Sequence, residues 1–320
     1  MKKLALFHRD FRAFTGGHLK VWDYFNHVAA SASHEPRIAF SPESKWDATN
    51  PWFGSTSSVM DWQPDKADLL FLGGTDWRAL PSSDRAKFPK PILNLIQHPR
   101  HAEPGSELRA FLKHRAVRIC VSGEVAEAIN ATGEVNGPVF VIPNGIDFQA
   151  IPHPSPTRSP RDESGRMADK IDIFISGFKA PELAREVHAA LESKMPKTLC
   201  LSERLPRVEY LAQLSNAKIA VVLPRPREGF FLPALEAMAC GAIVVCPDCV
   251  GNRGFCENEV NCFRPSYDRD AIVSAAITAS RLTEVERTSM LERAQTTVRQ
   301  HSLETERASF LKILAQIDDL

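Results

Sequence analysis

Short apolar runs alternate with segments of helical period along almost the whole chain, and this alternation limits the fold more than any other feature. Runs at 4–7, 37–40, 68–72, 92–96, 117–121 and 139–142 have the length and composition of buried strands. A turn at Gly16-Gly17 leads into an amphipathic stretch at 18–30, and 123–130 has helical spacing. Strands interleaved with helices point to an α/β fold with a parallel sheet. The pattern breaks at 151–169, where Pro152, Pro154, Pro156 and Pro160 sit among serines and mixed charge. Such a stretch buries little and reads as an exposed linker. Beyond it, strands at 171–176, 198–201, 218–223 and 242–246 alternate with helices at 181–193, 207–214 and 233–239. Helices at 270–279, 283–302 and 304–320 follow. The expectation is two α/β domains, 1–150 and 170–320, joined by the linker. The length of 320 residues favours the same count. Ligands of such sheets bind beyond the carboxyl ends of the strands, and two facing domains make a cleft suited to a small molecule.

Composition narrows the function classes. With 43% hydrophobic and 24% charged residues the chain is globular, not disordered, collagenous or coiled-coil. Its 39 basic side chains balance 39 acidic ones, so no global field draws it to nucleic acid. No apolar run reaches the roughly 20 residues of a membrane helix. Residues 4–7 lead at once into His8, Arg9 and Asp10, which reads as a first strand and not as a secretory signal. The expected location is the cytoplasm. Seven cysteines, an odd number spread over a long chain, do not make a disulfide framework.

The most specific segment is P-R-P-R-E-G-F-F-L-P-A-L-E-A-M-A-C-G at 224–241. Glu228 and Glu236 flank a loop, Gly229, Phe230, Phe231 and Leu232, with Pro233 placed to start a helix. Backbone amides at a helix start suit an anion such as a phosphate. Glu236, in the first turn, is placed to accept from ribose hydroxyls, and Glu228 to reach a ligand. This segment resembles the E-G-F-G-L-P-x-x-E-A-M-A-x-G signature of the family 4 nucleotide-sugar-dependent glycosyltransferases. The fold class that the resemblance implies is α/β, two Rossmann-like domains facing across a cleft (GT-B). The N-terminal domain would take the acceptor and the C-terminal domain the nucleotide-sugar, with room for the last helix to return to the N-terminal domain.

Other segments match that family in the right order. Thr15-Gly16-Gly17-His18 resembles its glycine loop at the donor diphosphate or acceptor, although any strand-to-helix turn can use Gly-Gly. It is not G-x-G-x-x-G, so the dinucleotide fingerprint is absent. Residues 141–147, V-I-P-N-G-I-D, are similar to the segment before the hinge. Ile175-Ser176-Gly177-Phe178-Lys179 resembles the strand and loop that supply an Arg and a Lys to the diphosphate. Lys179 fits, but the Arg is missing, and Arg204, Arg207, Arg225 and Arg227 are open replacements. The C-terminal domain is short before Arg207 for this family. His98, in N-L-I-Q-H-P-R-H at 94–101, matches a histidine beside the transferred sugar, with His101 as runner-up.

The resemblance implies a retaining transfer from a nucleotide-diphosphate sugar to a glycan or glycolipid hydroxyl, with no metal or other cofactor. Catalytic roles fall to His98 and Glu228. Two enzyme alternatives on such a scaffold are a sugar-nucleotide epimerase and a phosphorylase. A third alternative is a module that binds nucleotide-sugar or glycan without turnover.

Four further features have two readings each. Asp268-Arg269-Asp270 looks like a metal-binding D-x-D, but Asp270 suits a helix N-cap. Cys240, Cys246, Cys249, Cys256 and Cys262 read as small core residues or as a zinc site. Trp46 and Trp52, in the polar stretch 41–61, read as packing or as rings that stack on an acceptor sugar. The segment 108–118, with Arg109, Lys113, His114 and Arg115, reads as a solvated helix face or as a peripheral contact with the inner face of a membrane.

Overall fold

The computed structural model describes residues 2–152 and 171–319. Residues 153–169 of the proline-rich stretch therefore lie outside the described residues. The chain divides into two compact units. The first combines Met1–Gly145 with Leu303–Leu320, and the second is Ile146–Ser302.

In the first unit the strands are β1 (Lys3–Arg9), β2 (His34–Phe40), β3 (Leu69–Gly73), β4 (Ile92–Ile96), β5 (Val117–Cys120) and β6 (Val139–Val141). Every residue of β3 and β4 is buried, as a strand covered on both faces requires. The described strands form one parallel sheet in the order β2-β1-β3-β4-β5-β6. The connections carry α1 (Gly16–Ala29), the single turns α2 (Ser82–Arg85) and α3 (Glu107–Ala110), and α4 (Gly123–Asn130). Phe7 of β1 stacks on Phe71 of β3 at 4.5 Å, so the sheet centre is aromatic.

The second unit holds β7 (Ile171–Ser176), α5 (Pro181–Leu191), β8 (Thr198–Leu201), α6 (Arg207–Ser215), β9 (Ala217–Val222), α7 (Leu232–Ala239) and β10 (Ile243–Val245). Its described strands are parallel in the order β10-β9-β7-β8. Helices α8 (Arg269–Ser280) and α9 (Glu284–Gln300) follow. The cysteines of the 240–262 cluster are free and buried in this unit's core. Asp268, not Asp270, caps α8: its carboxylate accepts from the Ala271 N–H at 2.8 Å. Asp270 lies within the helix's first turn and pairs with Arg269 instead. Among the described residues no three His, Cys, Asp or Glu side chains group as metal ligands.

Helix α10 (Leu303–Ala315) belongs to the first unit. Its Phe310 meets Tyr24 of α1 edge to face at 5.0 Å. On the same helix, Glu306 lies among buried charges. Lys20 Nζ is 2.6 Å from Glu306 and 2.8 Å from Asp23, and donates to the Gly145 carbonyl at 3.1 Å. His27 Nε2 is 3.0 Å from the other Glu306 oxygen, and the Gly145 N–H donates to Glu306. A buried charge is tolerable only when paired in this way.

The basic segment 108–118 is not a continuous helix. One helical turn and one 3-10 turn run into β5. Arg109 is paired with Glu134, and Arg118 is fully buried, donating to Asn94 and to the carbonyls of residues that end those turns. The segment therefore presents no continuous basic helix to a membrane. Among the described residues no helix is long and apolar enough to cross one.

Glu306→Gln tests the buried network. Removing one partner of a buried pair costs about 3–5 kcal/mol, so the urea midpoint should fall sharply at neutral pH. Burial alone would push the Glu306 carboxyl up, but the Lys20 ammonium and His27 outweigh it and hold it below the usual 4.5. A carboxyl depressed by folding stabilises the fold above its unfolded pKa and loses that contribution as pH falls through the folded value. The gap between variant and parent should therefore narrow below about pH 4.5.

Candidate active site

The second unit brings together the segments that carry its charged residues. Strand β7 ends at Ser176, and Gly177 opens the turn into α5. A Cβ built on Gly177 would lie 2.0 Å from the Ala184 Cβ, so only glycine lets the strand pass this close to the helix. The turn delivers Lys179, whose Nζ is 2.9 Å from Glu228 Oε1 and 5.0 Å from the centroid of Phe231. Both charged side chains keep some exposure, at 25% for Lys179 and 13% for Glu228. Glu228 comes from the loop after β9 and also accepts from the Arg225 N–H at 3.3 Å. Gly251 packs against this loop. Its Cβ would be 2.9 Å from the Glu228 Cβ and 3.0 Å from the Phe230 nitrogen. A glycine at 251 is thus part of what places the carboxylate.

The loop 229–232 is only partly the amide cradle expected. The Phe231 N–H is spent on the Gly251 carbonyl at 2.8 Å, and the Phe231 side chain is buried at 1% exposure beneath Lys179. Phe231 is therefore a support and not a ligand contact. The Phe230 ring turns onto Phe255 at 5.0 Å. Among the described residues no acceptor takes the N–H groups of Gly229, Phe230 or Leu232, and these remain as donors at the start of α7. Glu236, one turn into α7, is buried and paired with Arg207 of α6. Of the four candidate arginines, Arg207 is thereby committed to Glu236. Arg204 lies over the Phe178 ring at 5.7 Å.

In the first unit the glycine loop opens α1. Thr15 caps it, accepting from the His18 N–H at 3.3 Å. Gly17 meets the end of β4, where Gln97 Nε2 donates to its carbonyl at 3.2 Å. Gly16 is exposed one residue earlier. His98, the next residue after Gln97, is half-buried and caps the 3-10 turn Pro99–Ala102. Its Nδ1 accepts from the Arg100 N–H at 3.0 Å, so a neutral His98 ring carries its proton on Nε2. His101 is buried instead. It is 3% exposed, and burial, reinforced by the Arg118 charge, pushes it down to about 3. It is a neutral core histidine and not a ligand contact. Trp52 is also corrected. It is fully buried between Trp22, Phe25 and Phe40, with no ring face left for a sugar. Trp46 stays 41% exposed.

A group that sequence reading missed lies beside the glycine loop. Arg9, at the end of β1, donates to Asp76 at 2.7 Å and to His18 Nδ1 at 3.1 Å. Asp76 also accepts from the Gly73 N–H at 2.9 Å. Burial, then the Arg9 charge, lowers His18 to about 4, which keeps it a neutral acceptor. No local pattern announces this group, because Arg9 and Asp76 meet only through the pairing of β1 with β3.

Two parallel α/β sheets with charged loops beyond their strand ends make this the fold of the GT-B glycosyltransferases. Sucrose-phosphate synthase from Thermosynechococcus elongatus superposes with a TM-score of 0.73 at 14% identity, over 99% of this chain and 100% of that one. HepE from Anabaena in complex with UDP gives 0.76 at 16% identity, over 99% and 100%. The α,α-trehalose 6-phosphate synthase from Burkholderia multivorans gives 0.68 at 13%, over 100% and 99%. No curated protein matches the sequence. Residues 161–296 match the family described as Glycosyl transferases group 1.

Gly177→Ala should destabilise the second unit by about 1–3 kcal/mol, the usual cost of overpacking. In a double-mutant cycle with Ala184→Gly the two losses should be less than additive, since the second change removes the atom that the first one strikes. Thermal melts of the four proteins measure it.

Proposed function

We propose that this chain is a retaining glycosyltransferase that moves a sugar from a nucleotide-diphosphate sugar to the hydroxyl of a glycan or glycolipid, without a metal. The observation that carries the reading is the Lys179–Glu228 pair at 2.9 Å, set beside donor amides at the start of α7. A cation and helix-start amides suit the diphosphate, and a neighbouring carboxylate suits the hydroxyls of the attached sugar. HepE, of the same fold, was solved with UDP-glucose, which makes a UDP-sugar the first donor to test.

In the proposed reaction the bond between sugar C1 and the diphosphate oxygen breaks, and its electron pair stays with the diphosphate. Lys179 and the Gly229, Phe230 and Leu232 amides stabilise that developing charge, and fixed donors of this kind usually contribute more to rate than any other device. The acceptor oxygen then bonds to C1 on the same face. Its proton passes to the departing phosphate oxygen. Glu228 holds sugar hydroxyls and faces the positive charge at C1. Glu236 takes the ribose hydroxyls, and Arg207 pairs with its buried carboxylate until they arrive. The role beside the transferred sugar that the family resemblance implies for His98 is part of the same proposal.

UDP-, GDP- and ADP-glucose should be compared by thermal shift. A ligand at 100 times its Kd stabilises by about 2.7 kcal/mol, and one nucleotide family should do so. Lys179→Ala should weaken that ligand by about 10- to 150-fold, the equivalent of a lost charged hydrogen bond of 1.5–3 kcal/mol. Glu228→Ala should keep nucleotide binding and lose turnover by about two to three orders of magnitude. No shift with any nucleotide-sugar, or full turnover by Glu228→Ala, overturns the reading.

A further inference from the structure

At the edge of the first sheet the chain leaves β2 at Phe40 and returns at Val59, which bridges Ile38 in parallel while the Met60 N–H donates to the Ile38 carbonyl at 2.9 Å. The return borders a cavity of about 560 Å³ lined by Phe40, Val59, Met60, Asp61, Trp62 and Gln63. That volume is in the usual range for small-molecule sites. Its walls are of two kinds. Phe40 and Trp62 are aromatic, and Trp46 extends the aromatic surface 5.4 Å from Phe40. Phe53 lies 5.9 Å further on and is 44% exposed. Trp62 is held rigidly: its Nε1 donates to the Ala79 carbonyl at 3.0 Å, and its ring meets His8 at 5.0 Å. The other wall is polar. Among the described residues neither the Asp61 carboxylate nor the Gln63 amide has a side-chain hydrogen-bond partner.

These walls select a ligand class. A lipid chain would strip water from Asp61 and give nothing back. A phosphorylated ligand would face a carboxylate with no Lys, Arg or His among the lining residues. A pyranose has an apolar C–H face and a rim of hydroxyls. It can lie on an aromatic ring while its hydroxyls donate to a carboxylate and exchange hydrogen bonds with an amide. We propose that this cavity is a subsite for a neutral saccharide, the sugar end of the acceptor. Its role toward an acceptor rests on the glycosyltransferase reading; the binding of a saccharide does not.

The test uses the full chain and saturation-transfer NMR. The probes are methyl α- and β-glucopyranoside, maltose, cellobiose, lactose and sucrose. At least one should receive saturation at its ring C–H protons. Asp61→Asn and Trp46→Ala should each weaken that saccharide by about tenfold or more, as loss of a charge-assisted hydrogen bond or of a stacking ring implies. Both variants should keep the parent's melting temperature and its thermal shift with UDP-glucose. Binding by none of the probes, or equal binding by parent and both variants, overturns the subsite. So does co-sedimentation with phosphatidylglycerol vesicles that Trp46→Ala abolishes while no saccharide binds, which would assign the rings to a lipid surface. A parent that binds saccharide but no nucleotide-sugar would sink the donor reading and leave the subsite standing.

Discussion

The first unit depends on one buried carboxylate. Glu306 neutralises Lys20, orients His27 and accepts the Gly145 N–H, so it ties α10, α1 and the end of the first long segment together. Without it, Lys20 would be a fully buried ammonium with one carboxylate and one carbonyl for company. Burying an ion without adequate partners costs several kcal/mol. The sheet of this unit is built from residues before Gly145, yet one of the two carboxylates that pair with Lys20 comes from residues after Leu303. The unit is complete only when the last helix has been made.

The second unit shows how a buried sheet dictates where chemistry can lie. Strands β7 and β9 are buried over their last four residues, so charged side chains are excluded there. They reappear where the strands end. Lys179 follows β7, and Glu228 follows β9, its neighbour in the sheet. Adjacent parallel strands end on the same side, which is why two residues far apart in sequence arrive within 2.9 Å. Glycines then set the fine position: Gly177 lets α5 close onto β7, and Gly251 lets its loop lie against Glu228.

Much of this was legible in the sequence, and the exceptions have physical causes. Strand runs such as 92–96 and 171–176 are apolar on both faces, so they stand out by composition alone and the structure has them at those bounds. The 224–241 segment was legible because one short stretch holds both carboxylates and a helix start. Tertiary environment was not legible. Trp52 and Trp46 lie in the same polar stretch, yet one is fully buried and the other 41% exposed, because the fold of that stretch decides which ring turns inward. His98 and His101 differ likewise by one 3-10 turn. The basic look of 108–118 misled because Arg118 serves as a buried donor to the carbonyls of Phe111 and Leu112, a use that composition does not distinguish from a surface charge. The Arg9–Asp76–His18 group needed knowledge of which strands pair.

The charges of the candidate site are paired with each other, and this follows from their burial. Glu236 is 3% exposed and Glu228 is largely covered, and a buried charge is tolerable only beside an opposite one. Arg207 and Lys179 supply the opposite charges. On the proposed reading a diphosphate arriving at Lys179 would not meet an idle ammonium but would compete with Glu228 for the same charge, and the carboxylate would need new donors as its partner turned away. Sugar hydroxyls are such donors, and in a nucleotide-sugar they are covalently joined to the diphosphate. On that reading a bare nucleotide would satisfy Lys179 and leave Glu228 short of a partner, whereas the whole donor would satisfy both, so a site paired in this way would discriminate for the intact donor by an exchange of partners.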